Sequence, residues 1–418
     1  MNGNNASERF QGGPFKKAVA VFFLLSAFLF FSAFSIRWGL RTFGGREVRN
    51  GVFARLVLST GASDIRGTPR AGKSFRESIE WETSVNVPFR VRLLEAASFL
   101  ERRAGWNIPL LSGYNSTFDA GGECLGRARY LSPEAERRQA DEIVAFLERL
   151  SAEFQGIPIL YCIPPCRFGP GDVLFDGVFD FSNEISDIES RRLASSGIDV
   201  LDLRIRLVGK SGFPRSLFYK TDHHFTVETA LDAAREIADR LSSGYGVDVD
   251  SDALAPDRFR RKVLPCGFLG SLGMKASLAL CKPDDFSIFE TADPSCYSLE
   301  IPSKGISRTG GFDIFIRKES LFGPTPYLIH AYGAYLFGDN PIVRIGNAAR
   351  PDGAKILVFS DSFDNALSAF LANGAGKLET VDLRHFGRSS SKLVADGPFD
   401  AIVVLWRRPP PSERLSAP

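Results

Sequence analysis

The sequence predicts an α/β fold with a mainly parallel sheet, preceded by one N-terminal transmembrane helix. Apolar strand patterns alternate with amphipathic helix patterns along most of the chain, as in parallel sheets that helices cover on both faces. One uncharged apolar run lies near the N-terminus. The 418 residues, of which 44% are hydrophobic, carry a formal charge of +2, which is typical of a globular protein and argues against a general nucleic-acid binder.

The uncharged run extends from Ala18 to Ile36, and as a helix it nearly spans the hydrocarbon core of a bilayer. Basic residues flank it on both sides, so charge alone leaves the topology open. Its position favours a cytoplasmic tail over residues 1–17, a membrane anchor over residues 18–36 and the rest of the chain outside. The alternatives are a cleaved signal peptide, with a weak small-residue site at Ala33 and Ser35, and a buried core helix. The anchor is favoured because the run exceeds the roughly 7–15 apolar residues of a signal peptide.

Composition divides the rest of the chain into a stalk over residues 37–86, a main domain over residues 87–407 and a disordered Pro-rich tail over residues 408–418. A polar region with frequent Gly and Pro, about residues 245–328, is interpreted as an insertion in the main domain. The chain length permits about two domains or one large domain with insertions.

Helices and strands of the main domain are predicted from apolar spacing and from start and stop signals. Ser132 as N-cap and Pro133 at the first helical position open one helix, and Thr226 can cap another. The other predicted helices are Phe89–Arg103, Ser182–Ala194 and Asp364–Ala372. The predicted strands are Ile157–Ile163, Ile198–Leu203, Lys355–Phe359, Glu379–Leu383 and Ala401–Trp406.

The six cysteines form an even number, which suits an oxidising compartment and permits up to three disulfides. Cys162 and Cys166 are one residue too far apart for a Cys-x-x-Cys redox motif. No second closely spaced pair completes a zinc site. Structural disulfides and inert thiols both remain open, and no metal site is predicted.

Two of the four histidines are adjacent in the segment Phe218–Thr226. In an extended backbone, Asp222 and His224 would project from the same face, where the carboxylate can orient the imidazole. His223 would then point away and is interpreted as structural. The alternative is a histidine that only occupies a turn before a helix.

Ser362 lies between a predicted strand and a predicted helix, so its hydroxyl is expected at the carboxyl edge of the sheet. Backbone N–H groups at a helix start can stabilise an oxyanion, and a histidine can take the hydroxyl proton. A serine that only caps its helix is the alternative. The presence of Asp222 and His224 in the same chain favours the interpretation of Ser362 as a nucleophile.

Four segments resemble the bacterial DHHW family, which is related to the SGNH-hydrolase-like domains of the alginate O-acetylation proteins. The similarity covers roughly Phe75 to Trp406, and the segments occur in the order typical of the family. Phe225 replaces the tryptophan of the family motif, and Ser360 stands where many relatives have glycine. The segments are Thr221–Thr226, His330–Asn347, Lys355–Phe363 and Thr380–Phe386.

The resemblance implies an SGNH-hydrolase-like three-layer sandwich in which three residues form a catalytic triad. Ser362 would be the nucleophile, His224 the general base and Asp222 the carboxylate that orients it. The reversed chain order of these groups is no objection, because geometry defines a triad. Further candidates for oxyanion or substrate binding are Gly338, Asn340, Tyr219 and Arg384.

The resemblance also implies a function: an extracytoplasmic O-acetyltransferase, or acetylesterase, that modifies a cell-surface or exported polysaccharide. It would be a single-pass protein of the cytoplasmic membrane with a periplasmic catalytic domain, and no cofactor is expected. Because cytoplasmic acetyl-CoA cannot reach such a site, a membrane-bound O-acyltransferase is the expected acetyl donor. The alternative is a non-catalytic protein that binds polysaccharide during assembly. A metal-dependent phosphoesterase is disfavoured, since its two-metal site needs further aspartates.

Overall fold

The structure is a computed structural model that describes residues 92, 95, 96, 116–118, 125–127, 131–170, 173–175, 178–211, 214–278, 281–291, 296–386 and 398–406. The predicted cytoplasmic tail (1–17), anchor (18–36), stalk (37–86) and C-terminal tail (408–418) lie outside the described residues, as does most of the predicted helix Phe89–Arg103. In the part of the chain that is described, no helix is both long and apolar enough to cross a membrane.

The described elements all lie within Ser98–Pro418. The helices are α1 (Pro133–Glu153), α2 (Ser182–Ser195), α3 (Leu203–Ser211), α4 (Val227–Tyr245), α5 (Ser271–Ala276) and α6 (Asp364–Gly374). The strands are β1 (Ser116–Phe118), β2 (Leu125–Arg127), β3 (Ile159–Ile163), β4 (Val173–Phe175), β5 (Val178–Phe179), β6 (Asp199–Asp202), β7 (Phe259–Phe268), β8 (Asp284–Thr291), β9 (Tyr297–Ile301), β10 (Ile306–Gly310), β11 (Ile342–Asn347), β12 (Lys355–Ser360), β13 (Lys377–Val381) and β14 (Ala401–Leu405).

An eight-stranded sheet with the order β10-β9-β11-β13-β12-β14-β3-β6 forms the centre of the fold. The five strands from β13 to β6 run parallel to one another. The strands β11, β9 and β10 continue the sheet with antiparallel pairing. The predicted α/β class with a mainly parallel sheet is therefore confirmed.

Helices cover both faces of this sheet, so the fold has three layers. In β12, Ile356 and Val358 belong to one hydrophobic cluster, which also contains buried residues of α4 and α6. Their neighbours Leu357 and Phe359 belong to a second cluster, with buried residues of α1 and α2. This alternation arises because successive strand residues point to opposite faces, and it explains why the strand is apolar throughout.

The region interpreted as an insertion contributes to the main sheet as well as to a separate hairpin. The strands β9 and β10 lie within residues 245–328 and extend the sheet at one end. The strands β7 and β8 form a two-stranded sheet. Its residues Phe259 and Phe289 pack edge-to-face on Phe370 of α6, so the hairpin is anchored in the same core.

No disulfide joins the described cysteines, which are Cys162, Cys166, Cys266, Cys281 and Cys296. Cys124 lies outside the described residues. Burial raises the pKa of the Cys162 thiol well above its ordinary value. An inert thiol is the interpretation that fits this position, because the thiolate is the reactive form.

Candidate active site

The structure brings Ser362, His224 and Asp222 together at the carboxyl edge of the sheet. Ser362 lies in the turn between β12 and α6, and its Oγ is 2.8 Å from Nε2 of His224. The other ring nitrogen, Nδ1, is 2.5 Å from Oδ1 of Asp222. A hydroxyl, an imidazole and a carboxylate in this order have the geometry of a nucleophilic triad.

The turn that carries Ser362 is held by its own backbone and by aromatic packing. The N–H of Phe363 donates to Oδ1 of Asp361 at 3.0 Å, and the N–H of Asp364 donates to the carbonyl oxygen of Asp361 at 3.0 Å. The buried ring of Phe225 packs edge-to-face on Phe363 with 4.9 Å between centroids. The backbone N–H of Ser362 has no acceptor within the described residues, so it remains open to a ligand oxygen.

The carboxylate of Asp222 is fixed by backbone donors as well as by the imidazole. Its Oδ1 accepts from the backbone N–H of His224 at 3.0 Å, and its Oδ2 accepts from the N–H of Ser271 at 2.5 Å. Gly270 permits this approach, because a Cβ there would lie 2.3 Å from Cβ of Asp222 and 2.6 Å from the carbonyl oxygen of Thr221.

The pKa of Asp222 lies well below its ordinary value. Burial on its own raises this pKa, but the charge and hydrogen bond of His224, the charge of His223 and the N–H of Ser271 together outweigh it. Asp222 is therefore ionised at neutral pH and can stabilise a protonated His224.

Arg167 holds the backbone of the Asp-His segment, which comprises residues 219–224. The sequence analysis did not identify this residue. Its buried guanidinium donates to the carbonyl oxygens of Lys220, at 2.9 Å, and of Tyr219 and Asp222. It follows β3 in a stretch whose only sequence signal was the Cys-Ile-Pro-Pro-Cys pattern. A planar group with five donors can gather several carbonyls, which explains why arginine occupies this position.

Asp284 supports the same segment from its other side. Its carboxylate accepts from the N–H of Lys220 and the N–H of Thr221, both at 2.8 Å, and from Oγ1 of Thr221 at 2.6 Å. Burial raises the pKa of Asp284, although these donors lower it in part. Asp284 begins β8, so the hairpin within residues 245–328 helps to position the segment that carries Asp222 and His224.

His223 does not point away from the site as the sequence analysis expected. Its Nδ1 lies 2.9 Å from Oγ of Ser271 and 3.4 Å from Oδ1 of Asp222, and its ring is 3.8 Å from the His224 ring. The expectation failed because residues 220–224 form bends rather than a strand. The alternation of side chains applies only to extended backbone.

A cleft of about 450 Å³ opens beside Ser362. One part of its wall is apolar, with Leu269, Met274 and Ile329, and another part is polar, with His223, His330 and Arg384. Of the further candidates from the sequence, Gly338 and Arg384 line this cleft, whereas Tyr219 and Asn340 do not.

Gly338 and Asn340 belong to a tight turn before β11. The residues Leu336, Phe337 and Gly338 have successive φ angles of 46°, 63° and 76°, a conformation that glycine adopts readily and other residues rarely. The side-chain amide of Asn340 donates to the carbonyls of Leu336 and Gly338 at 2.7 and 2.6 Å. The N–H of Gly338 donates to the carbonyl of Tyr335 at 3.0 Å. The N–H of Gly338 and the side-chain amide of Asn340 are therefore used within the turn.

Arg384 lines the cleft and is paired with carboxylates, whereas Tyr219 is a core residue. The Arg384 guanidinium bonds to Asp382 at 2.6 Å and to Asp339 at 3.3 Å. The Tyr219 hydroxyl accepts from the N–H of Val227 at 3.3 Å, and its ring packs on Phe268.

Two cleft residues that the sequence analysis did not single out are Tyr332 and Asn365. The ring of Tyr332 stacks on the imidazole of His224, with 3.9 Å between centroids and 14° between planes. Asn365 lies in the first turn of α6, and its amide donates to Oδ1 of Asp339 at 3.3 Å. The only sequence signal for these two residues was their position, since Tyr332 lies in the segment His330–Asn347 and Asn365 in the predicted helix Asp364–Ala372.

Two groups of side chains in the described part could place three metal-ligand atoms within 4.8 Å of one another. In the group Asp222–His224, the ligand atoms of Asp222 and His224 bond to each other. In the group of Asp339, Asp382 and His385, the Arg384 guanidinium pairs with both carboxylates. Both groups thus have protein partners in place of a cation.

Comparison with known proteins yields structural similarity only. No protein-family model matches the chain, and no curated protein matches it in sequence. A DHHW family protein from Eubacterium siraeum has a TM-score of 0.51 at 16% identity, over 70% of this chain and 91% of that chain. The chain has the fold of this DHHW family protein.

Two structures of Bacillus cereus PatB1 are also similar to this chain in fold. One has a TM-score of 0.57 at 16% identity, over 72% of this chain and 97% of PatB1. The other, which carries a sulfonyl adduct, has a TM-score of 0.55 at 15% identity, over 70% of this chain and 93% of PatB1. The resemblance drawn from the sequence is thus confirmed at the level of the fold.

Proposed function

We propose that this protein is an acyl-transfer enzyme that carries an acetyl group on Ser362 and passes it to a hydroxyl acceptor. The observation that carries the proposal is the 2.8 Å contact between Ser362 Oγ and His224 Nε2, with Asp222 on the opposite ring nitrogen. A serine that only caps a helix would not require a buried imidazole bonded to its hydroxyl, nor a carboxylate bonded to that imidazole.

In the first half-reaction, Ser362 Oγ forms a bond to the acetyl carbonyl carbon while its proton moves to His224 Nε2. The carbonyl electron pair moves to the oxygen, which the open N–H of Ser362 stabilises. When this intermediate collapses, the bond between the acetyl carbon and the donor atom breaks, and the donor group leaves with the proton from His224. The ionised Asp222 stabilises the imidazolium in between.

In the second half-reaction, an acceptor hydroxyl gives its proton to His224 and attacks the acetyl carbon. The bond to Ser362 Oγ breaks, and Ser362 recovers its proton from His224. With water as the acceptor, the same steps amount to an acetylesterase. The chemistry therefore needs only groups that this chain provides, together with an acetyl donor and an acceptor.

The proposed acceptor is a cell-surface or exported polysaccharide, and the proposed donor is a membrane-bound O-acyltransferase. The polar wall with His330 and Arg384 suits a hydroxyl-rich acceptor, and the apolar wall with Met274 suits an acetyl methyl group. The apolar run over residues 18–36 supports an anchor that keeps the domain beside the membrane.

A trapping experiment tests the chemistry. The full-length protein is incubated with a chromogenic acetyl ester, and its peptides are analysed by mass spectrometry for an acetyl group on Ser362. We expect acetyl-Ser362, and we expect Ser362→Ala to abolish ester turnover. The exposed Ser307 provides a matched control, because Ser307→Ala should leave turnover unchanged. Equal turnover by wild type and Ser362→Ala would contradict the proposal.

The sulfonyl adduct of PatB1 suggests a second probe. Sulfonyl fluorides modify activated nucleophiles, so we expect phenylmethylsulfonyl fluoride to add one sulfonyl group to Ser362 and to block ester turnover. Modification of wild type and Ser362→Ala to the same extent would place the reactive group elsewhere.

An experiment in the producing cell separates the enzyme from a polysaccharide-binding protein. With Ser362→Ala, the enzyme hypothesis expects polymer of normal amount that lacks acetyl groups. Unchanged acetyl content would support the non-catalytic alternative. Deletion of residues 1–36 tests the anchor, since the protein should then leave the membrane fraction.

A further inference from the structure

Tyr332 has a buried hydroxyl that no described group satisfies. The residue is 7% exposed, and its Oη has no hydrogen-bond partner among the described residues. A buried tyrosine hydroxyl normally has a partner, because an unpaired polar group in the interior is costly. This exception calls for a functional explanation, and a ligand that arrives later is one.

The ring that carries this hydroxyl lies next to the reacting groups. Tyr332 and Ser362 line the same cleft, and the Tyr332 ring stacks flat on the His224 imidazole at 3.9 Å. The ring of Tyr219 stands edge-on behind Tyr332, with 6.4 Å between centroids. Packing on both sides fixes the direction of the ring, so its hydroxyl is preorganised.

The hydroxyl keeps its proton. Burial raises the pKa of Tyr332 well above its ordinary value, and the charges of Asp222 and Asp361 raise it further. Tyr332 is therefore a neutral donor at every pH at which the enzyme is expected to work.

The expected acyl transfer needs more than one donor for the developing oxyanion. Ser362 offers its backbone N–H, but the N–H of Gly338 and the side-chain amide of Asn340 are engaged in their own turn. Asn365 already donates to Asp339. Tyr332 also lines the cleft, and its hydroxyl is a donor that has no partner within the described residues.

We propose that Tyr332 Oη–H donates a hydrogen bond to the acyl oxygen of the substrate, which becomes an oxyanion when Ser362 attacks. This inference rests on the proposed function. When the Ser362 Oγ–carbon bond forms, the carbonyl electron pair moves to that oxygen, and the Tyr332 proton stays on Tyr332 as a hydrogen-bond donor. When the intermediate collapses, the electron pair returns to the carbonyl, the bond to the donor group breaks, and that group leaves with the proton from His224.

The variant Tyr332→Phe tests this role, because it retains the stacked ring and removes only the hydroxyl. We expect kcat for a chromogenic acetyl ester to fall about 10²–10³-fold, the range for loss of one oxyanion donor, with little change in KM. The midpoint of chemical unfolding should not decrease, since the lost hydroxyl has no partner in the folded protein.

Tyr335→Phe is the matched control. The hydroxyl of Tyr335 accepts from the N–H of Phe289 at 3.1 Å and donates to the carbonyl of Ser287 at 3.5 Å, away from the cleft. This variant should unfold at lower denaturant concentration and retain its kcat. A kcat of Tyr332→Phe within twofold of wild type would overturn the inference. A decrease in both kcat and the midpoint of unfolding would also overturn it, because it would indicate a general packing defect.

The proposed function and this inference fail in different ways. If Ser362→Ala turns over ester as fast as wild type, the proposed function is wrong and the role of Tyr332 with it. If only Ser362→Ala is inactive and Tyr332→Phe is fully active, the acyl-transfer function stands and the role of Tyr332 is wrong.

Discussion

Ser362 Oγ lies 2.8 Å from His224 Nε2, although 138 residues separate the two in sequence. His224 lies three residues before the first residue of the helix α4, and Ser362 lies two residues before the first residue of α6. The two helices pack on the same face of the sheet and share one hydrophobic cluster. The distance is therefore set by helix packing, and the site forms only when this part of the core is complete.

Asp222→Asn should leave the fold intact and lower kcat by about 10³–10⁴-fold. A neutral amide cannot stabilise the imidazolium, and its N–H₂ group favours the wrong tautomer of His224. Turnover of a chromogenic acetyl ester measures the effect. The exposed Asp313 provides the control, because Asp313→Asn should retain wild-type turnover. A loss of less than tenfold in Asp222→Asn would remove Asp222 from the proposed triad.

Gly270→Ala should damage the site through a steric clash. The added Cβ would lie 2.3 Å from Cβ of Asp222, so Asp222 or the backbone must move. We expect a loss of about 1–3 kcal/mol in the free energy of unfolding and at least a tenfold loss of ester turnover. Gly209 in α3 has no atom within 4 Å of an added Cβ, so Gly209→Ala should be neutral or slightly stabilising. Similar behaviour of the two variants would contradict the predicted clash.

Arg167→Met should destabilise the protein and misplace the Asp-His segment. The change leaves the carbonyls of Tyr219, Lys220 and Asp222 without their donor, and we expect a loss of about 3 kcal/mol in unfolding free energy, together with reduced turnover. Denaturant titration measures the stability. Arg260, which pairs with Glu290 at the surface, gives the comparison, because Arg260→Met should cost less than about 1 kcal/mol. Equal costs would show that Arg167 has no special structural role.

Asp364 should make the protein less stable as the pH rises from about 4 to about 7. Burial, together with the charge of Asp361, raises the pKa of Asp364 to about 7, although hydrogen bonds with Ser368 and other side chains lower it in part. The folded state therefore holds a proton that the unfolded chain releases near pH 4. The contribution of this proton to the free energy of unfolding is fully present below about pH 4. It decreases by at most about 1.4 kcal/mol per pH unit as the pH rises to the pKa of Asp364 in the folded state.

The pH dependence of unfolding in Asp364→Asn checks this prediction. The neutral amide removes the titration, so the unfolding free energy of this variant should vary less between pH 4 and pH 7 than that of wild type. The exposed Asp257 supplies a matched control, since Asp257→Asn should keep the wild-type slope. An unchanged slope in Asp364→Asn would refute the assignment to Asp364.

Much of the central architecture could be predicted from local signals. The helix predicted to open at Pro133 begins there, and Thr226 caps α4 by accepting from the N–H of Thr229. The apolar run predicted as the strand Lys355–Phe359 forms β12 with one more residue. These features depend on interactions between residues close in sequence, namely capping, proline geometry and apolar periodicity.

The strands β9 and β10 show where local signals become insufficient. In β9, the residues Tyr297, Leu299 and Ile301 are buried and those between them are exposed. Such alternation over five residues is a weak signal, especially among glycines and prolines. Their place in the main sheet depends on pairing with β11, which follows about 40 residues later.

The sequence by itself determined the α/β class and singled out Asp222, His224 and Ser362 as candidates, which the structure places in contact, since residue type and the strand-turn-helix context of the serine are local properties. Only the tertiary structure decided which groups hold and complete the site. Arg167, Gly270 and Tyr332 contact the site through partners in distant segments of the chain. His223 lies in the cleft because its backbone bends. Packing selects such partners, and no pattern among neighbouring residues encodes them.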